Sequence, residues 1–221
     1  MNHISIEGMD GVGKTTLCRG LSKDLGYEFI EKPLHYLFDR SEDEFTEYIR
    51  IRDRVNADPN RLFTSWFYAL GTIYMYAKFK EDNIVTDRHI LSNWAWSGTE
   101  ESKDVYDFLL NHIGKPKYTV ILYASPSAIE ERMKSRNNDD ADLQKIKMSN
   151  DIYRKMVQFA KKHRFTTLLL DSTGLESGEA LRIVERWMEG QPEDGSFQMI
   201  SSPKKGGEKS GSDLYKFLKT I

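Results

Sequence analysis

The sequence holds a single cysteine, Cys18, so no disulfide can form within the chain, and a reducing compartment suits it. Cys18 falls three residues after Thr15, in a helix-forming stretch, and reads as a small packed hydrophobe rather than a redox group. Charge of one sign is not in excess. Thirty-two Lys and Arg against 34 Asp and Glu leave a formal net charge of −2, which removes any global attraction to nucleic acid or to an anionic membrane. No apolar run approaches the roughly 20 residues that cross a bilayer. The N-terminus has no basic segment followed by an apolar one, so no signal peptide is read. The histidines are scattered and show no metal-ligand spacing. There is no internal repeat. The expectation is a soluble, cytoplasmic protein with no nucleic-acid or membrane partner.

What is present begins at residue 4. Gly8, Gly13, Lys14 and Thr15 fit the pattern G-x-x-x-x-G-K-[ST], set between a short apolar strand and a helix. Glycines let the backbone curl until several N–H groups point at one anion. The helix that follows adds its unpaired N-terminal donors. Gly8, Met9, Asp10, Gly11, Val12, Gly13, Lys14, Thr15 and Thr16 are therefore read as a loop that binds the phosphates of a nucleoside triphosphate such as ATP. Lys14 can reach the β- and γ-phosphates, and the Thr15 hydroxyl can hold Mg²⁺. The bland alternative is a chance glycine-rich turn.

Strand and helix patterns alternate down the chain. The spacing predicts helices over residues 14–25, capped by Gly26, over 42–54, and a longer one through 79. The third of these is read as starting at Asp58-Pro59-Asn60, with Pro59 near its first helical position. Further helices are predicted before His112, after Ser125, over 142–163 and over 176–188. Strands are expected at 27–30, 83–87, 118–124 and 166–171, besides the one ahead of Gly8. Five strands alternating with helices imply an α/β fold, a five-stranded parallel sheet sandwiched by helices, of the P-loop NTPase type. Residues 1–189 read as one domain. Residues 190–212, rich in Gly, Ser, Pro, Lys and Glu, read as a flexible linker. Residues 213–221 could add a short helix with Leu214, Phe217 and Leu218 on one stripe.

Several residues could carry chemistry. Asp87 ends an apolar strand, where a second Mg²⁺-side carboxylate belongs; it could equally cap the next helix. Arg88 beside it could clamp a phosphate. Arg132 and Arg136 share a helical face and could neutralise charge on a moving phosphoryl group, or be a solvated basic face. Asp10 is an awkward acid inside a phosphate loop and is expected to face a hydroxyl or an ammonium. Glu31, at a strand end, could orient substrate or act as a base. The aromatic helix with Phe63 and Phe67, and Trp94 later, could stack on a base, although most of these rings should fill the core. Asp171 to Gly174 match D-x-x-G of GTP switches, but come too late and without N-K-x-D.

Residues 7–16, Glu-Gly-Met-Asp-Gly-Val-Gly-Lys-Thr-Thr, resemble the E-G-x-D-G-x-G-K-T-T loop of thymidylate kinases. Asp87, Arg88 and His89, with Ser92, Ala95 and Gly98, are similar to that family's D-R-Y…S…A-Y-Q-G stretch. The resemblance covers roughly residues 3–189. It implies a nucleoside monophosphate kinase-like fold, ATP on the loop, Mg²⁺ served by Thr15 and Asp87, and the acceptor phosphate on Arg88. It implies that Asp10 contacts the sugar 3′-hydroxyl or positions that arginine, that Arg132 and Arg136 belong to a lid over ATP, and that the protein is a homodimer. The family's R-E-P-G-G is here Glu31, Lys32, Pro33 and Leu34; its A-A-D-R has no clean counterpart at residues 67–72; its base-reading Gln is Ser97. The expected activity is phosphoryl transfer to a (deoxy)nucleoside monophosphate. The alternatives are a deoxynucleoside kinase acting on a 5′-hydroxyl, with Glu31 as base, and a non-catalytic nucleotide-binding regulatory module.

Overall fold

The apolar run ahead of the glycines forms a buried strand, β1 (His3–Gly8), and the turn after it feeds helix α1 (Lys14–Leu25). Gly26 closes that helix with φ 66°, its N–H donating to the Ser22 carbonyl. In the computed structural model, which describes residues 1–41, 45–136 and 141–201, five more strands join β1. They are β2 (Glu28–Ile30), β3 (Ile84–Asp87), β4 (Tyr118–Tyr123), β5 (Thr167–Asp171) and β6 (Phe197–Ile200). The sheet runs β2-β3-β1-β4-β5-β6, and every neighbouring pair is parallel.

The parallel sheet expected from the sequence is present, with one strand more. β6 falls inside the stretch expected to be a linker. Its four residues pair with β5 at the sheet edge and are only partly buried. Phe197, Met199 and Ile200 pack against the core, but a strand of four residues inside a stretch rich in Gly, Ser, Pro, Lys and Glu is too short to stand out in the sequence. Residues 202–221, including the expected tail helix, lie outside the described residues.

Alternation along β1 sorts the two faces of the sheet. α1 packs with α9 (Ser177–Glu189) on one side. On the other, Glu7 meets α5 (Ile90–Ser97), which packs on α8 (Ser149–Lys162). α4 (Arg61–Lys78) and α6 (Lys103–His112) lie beside α5. Ile4, Ile6, Val120, Ile121 and Leu168 to Leu170 form the centre of one large core, all essentially buried. That burial on both faces is what a continuous apolar strand such as β4 encodes.

Three helix boundaries differ from the sequence reading. Asn60 caps α4 by accepting the Phe63 N–H at 3.0 Å, so Pro59 stands before the cap rather than in the first turn. The polar helix expected over 42–54 is found as α3 (Thr46–Ala57), and a short helix that the sequence reading did not include, α2 (His35–Phe38), comes before it. The long helix expected over 142–163 is a 3₁₀ segment, Ala141–Met148, followed by α8. α7 (Pro126–Arg136) precedes it. No helix among the described residues is long and apolar enough to cross a membrane.

What matters for the site is where β1 and β3 end. β3 lies on one side of β1 and β4 on the other, so the strand order switches there. In such sheets ligands bind beyond the carboxyl ends of the strands, at the switch point. The register pairs Ile6 with Asp87 and Gly8 with Leu122. The glycine loop and Asp87 therefore leave the sheet from the same edge.

Candidate active site

The loop is shaped by glycines in conformations other residues avoid. Gly8 has φ 140°, and a Cβ there would sit 2.4 Å from the Leu122 carbonyl oxygen; Gly13, just before α1, has φ 98°. Tyr153 on α8 braces the turn from behind. Its hydroxyl accepts the Met9 N–H at 3.3 Å and donates to the Leu122 carbonyl at 2.7 Å.

Four charged side chains converge on this loop. Lys14 is buried, with 6% exposure, and its ammonium donates to the Met9 carbonyl at 2.9 Å. It lies 3.6 Å from Asp10 and 3.8 Å from Asp87. Burial and then the Arg88 charge pull its pKa below the usual lysine range. The Thr15 hydroxyl donates to Asp87 at 2.6 Å. Arg88 donates to Asp10 at 2.6 Å and to the Gly8 carbonyl at 2.9 Å. Burial favours a raised pKa for Asp10, but the Arg88 and Lys14 charges outweigh it and hold the carboxyl far below its ordinary range. The awkward acid of the loop is thus an ionised partner for a guanidinium.

From this cluster a cleft of about 920 Å³ runs past the loop to Glu31 and Lys32 on one wall and to Trp96 and Lys145 farther out. Glu31 and Lys32 form an ion pair with each other. Of the sequence-nominated residues, Asp10, Gly11, Gly13, Lys14, Thr15, Thr16, Glu31, Asp87 and Arg88 line the cleft. Gly8, Met9 and Val12 are buried and do not line the cleft. Others do not reach it. Phe63 is 48% exposed on the outer side of α4. Phe67 packs with Leu34, Tyr48 and Val55, and Trp94 stacks on Phe159 in the core. The cleft takes its helical wall instead from Tyr68, Thr72 and Met75 of α4 and from Asn93, Trp96 and Ser97 of α5. Tyr68, Thr72 and Met75 stand four and three apart, a helical face that could have been found by asking which stripe opposes the exposed one. Arg132 donates to the carbonyls of Ser172 at 2.7 Å, Thr173 at 3.3 Å and Val12 at 3.4 Å. It therefore ties α7 to the loop after β5, outside the cleft wall. Arg136 ends α7, and its side chain is outside what the structure describes.

Beneath the cleft lies a polar floor. His3 bonds to the hydroxyls of Tyr76 at 2.6 Å and Thr86 at 2.9 Å, and its ring meets that of His89 edge-on at 4.6 Å. Burial pushes the His89 imidazole down to about 3. Burial and then His89 lower that of His3 well below its usual 6.5. Unfolded histidines take up protons near pH 6.5, whereas these stay neutral in the folded chain. The unfolded state then binds more protons below pH 6.5, and stability falls as pH falls from there toward 3. Burial raises the Glu7 carboxyl, which works in the opposite sense. Chemical denaturation at pH 7.5 and pH 5 should show a loss of roughly 2 kcal/mol from His89, with His3 acting in the same direction, and His89→Gln should flatten the slope. An unchanged slope in that variant contradicts the assignment.

The thymidylate kinase family model matches residues 6–176. A thymidylate kinase from Mycoplasma genitalium is 27% identical over 160 residues, covering 67% of this chain and 75% of that protein. Among solved structures, a Candida albicans thymidylate kinase aligns with TM-score 0.60 and 18% identity over 86% of this chain and 92% of that one. A deoxyadenosine kinase from M. mycoides aligns with TM-score 0.59 and 16% identity over 85% of this chain and 99% of that one. At such identities the structural matches speak for the fold. The match to the family model, over more than half of the chain, goes further: this protein belongs to the thymidylate kinase family of phosphotransferases.

Proposed function

We propose that the protein transfers the γ-phosphoryl group of ATP to a (deoxy)nucleoside monophosphate. The observation that carries this is the meeting of Lys14, Asp87, Asp10 and Arg88 at one sheet edge, with an open cleft leading away from Arg88. In this reading the loop amides and Lys14 hold the ATP phosphates. Arg88 holds the acceptor phosphate, and Asp10 keeps its guanidinium pointed at the junction. Lys32, on the facing wall, adds a second cation for that phosphate. Thr15 and Asp87 offer a hydroxyl and a carboxylate, hard oxygen donors that fit Mg²⁺, whose charge would offset that of the β- and γ-phosphates. Catalysis then rests on positioning and charge stabilisation more than on proton transfer.

The second reading is phosphorylation of a nucleoside 5′-hydroxyl. It draws on Glu31, a carboxylate on the cleft wall, and on the fold shared with the M. mycoides deoxyadenosine kinase. The ion pair between Glu31 and Lys32 favours the first reading, because the carboxylate is engaged by a cation rather than open to a hydroxyl. ADP release measured across nucleosides and monophosphates separates the two. Turnover with monophosphates only is expected, and turnover with nucleosides only reverses the choice.

The protein is also proposed to be a homodimer. Phe63, Trp66 and Leu70 form an exposed stripe on α4, and Phe108 of α6 continues it, with 6.4 Å between the Trp66 and Phe108 rings. Exposed apolar faces of this kind mark interaction surfaces. Sedimentation should give twice the 25.7 kDa chain mass, and a Trp66→Glu, Leu70→Glu variant should sediment as a monomer. A wild-type monomer refutes it.

A further inference from the structure

Glu7 is fully buried at 0% exposure, one residue ahead of the phosphate loop, and takes no part in the cleft wall. One of its oxygens, Oε2, accepts three hydrogen bonds: from the His89 N–H at 3.2 Å, the Ser92 N–H at 3.1 Å and the Ser92 hydroxyl. The other, Oε1, has no partner among the described residues. The two N–H groups are the donors that a helix leaves unpaired at its start, here the start of α5. His89, the cap residue, makes no side-chain cap of its own. A carboxylate 82 and 85 positions away in sequence does that work.

The residue held just before this cap is Arg88. Its φ is 76°, the left-handed region that an arginine rarely adopts. Neighbours of Glu7 on β1 and the loop grip Arg88 from the other side. Its N–H donates to the Ile6 carbonyl at 2.9 Å, and its guanidinium reaches the Gly8 carbonyl at 2.9 Å, Asp10 at 2.6 Å and the Ser92 hydroxyl at 3.4 Å. A turn in an unfavourable conformation persists only where its surroundings over-determine it. Glu7 supplies three of those constraints through a single carboxyl oxygen. A glutamine keeps the shape but buries an amide NH2 where a carboxyl oxygen now stands.

We infer that Glu7 is a positioning residue, fixing through the Ser92–His89 cap the turn from which Arg88 reaches the acceptor phosphate. The inference rests on the acceptor role proposed above for Arg88. A helix cap that served stability alone would cost all functions alike, so the test must isolate Arg88. Glu7→Gln, Arg88→Lys and the double variant are compared for acceptor kcat/KM, for ATP affinity by a fluorescent analogue, and for melting temperature. Glu7→Gln should lower acceptor kcat/KM about tenfold by displacing the guanidinium, with ATP affinity within about twofold of wild type. In the Arg88→Lys background the same substitution should cost less than about twofold, because the side chain it positions is already altered. Equal losses in both backgrounds, or acceptor kcat/KM unchanged by Glu7→Gln, overturn the inference. Should Glu7→Gln fail to fold, Ser92→Ala enters the same cycle with the same expectation. If the wild type turns over no monophosphate, it is the proposed function that fails. A crystal structure of Glu7→Gln then decides the positioning role: Arg88 leaving Gly8 and Asp10 supports it, and Arg88 unmoved refutes it.

Discussion

Replacing Arg88 by alanine is expected to cut kcat/KM for the acceptor by at least about a hundredfold, while ATP affinity changes little. The guanidinium lines the cleft at its start, held by Asp10 at 2.6 Å and Gly8 at 2.9 Å. In the proposed reading its free edge meets the acceptor phosphate, a charge-assisted contact in a partly desolvated site. Its loss has a second cost. Asp10 would keep its negative charge beside two phosphate groups without its hydrogen-bonded partner, leaving Lys14, 3.6 Å away, and the more distant Lys145 to offset it. Arg88→Lys should recover little, because an ammonium cannot serve Gly8, Asp10 and a phosphate in one plane. Steady-state kinetics with the acceptor varied, and titration of a fluorescent ATP analogue, read both effects. An Arg88→Ala enzyme with near-normal acceptor kcat/KM contradicts the assignment.

The second large effect is expected at Lys14. Lys14→Met should lower kcat by about a thousandfold, the scale of removing a preorganised donor from a site of developing charge. Methionine keeps most of the buried stem, so the change removes the ammonium and little else. The fold should survive. Asp10 keeps Arg88 as a partner, and Asp87 keeps the Thr15 hydroxyl at 2.6 Å. Circular dichroism and melting provide the control. A variant that melts near the wild type and still turns over at a tenth of its rate or faster would show that Lys14 does not act on the transferring group.

The loop was legible in the sequence because its signal is local: glycines, a lysine and a threonine at fixed spacing between a strand and a helix. Asp87 and Arg88 were legible because a strand end gives an address at the sheet edge, and parallel register carries that address to the loop. What could not be read depends on packing. The aromatic content of α4 announced a buried or ligand-facing helix but not which ring faces which way. Phe63 turned outward, Phe67 turned to α3, and Tyr68 turned to the cleft. Arg132 sits at helical spacing from Arg136, yet its partners are carbonyls 40 and 120 residues away. β6 was missed because four residues inside a polar, glycine-rich stretch give too short a pattern, and the clamp on Arg88 from Glu7 spans more than eighty residues with no motif of its own.

Everything functional here depends on one junction, where a triphosphate on the loop faces an acceptor phosphate on Arg88. The direct test is a single turnover with γ-labelled ATP, Mg²⁺ and a panel of deoxynucleoside monophosphates, followed by location of the label. The account predicts label in the β-phosphate of a nucleoside diphosphate. Label released as free phosphate, or carried only to the 5′-hydroxyl of a nucleoside, contradicts it.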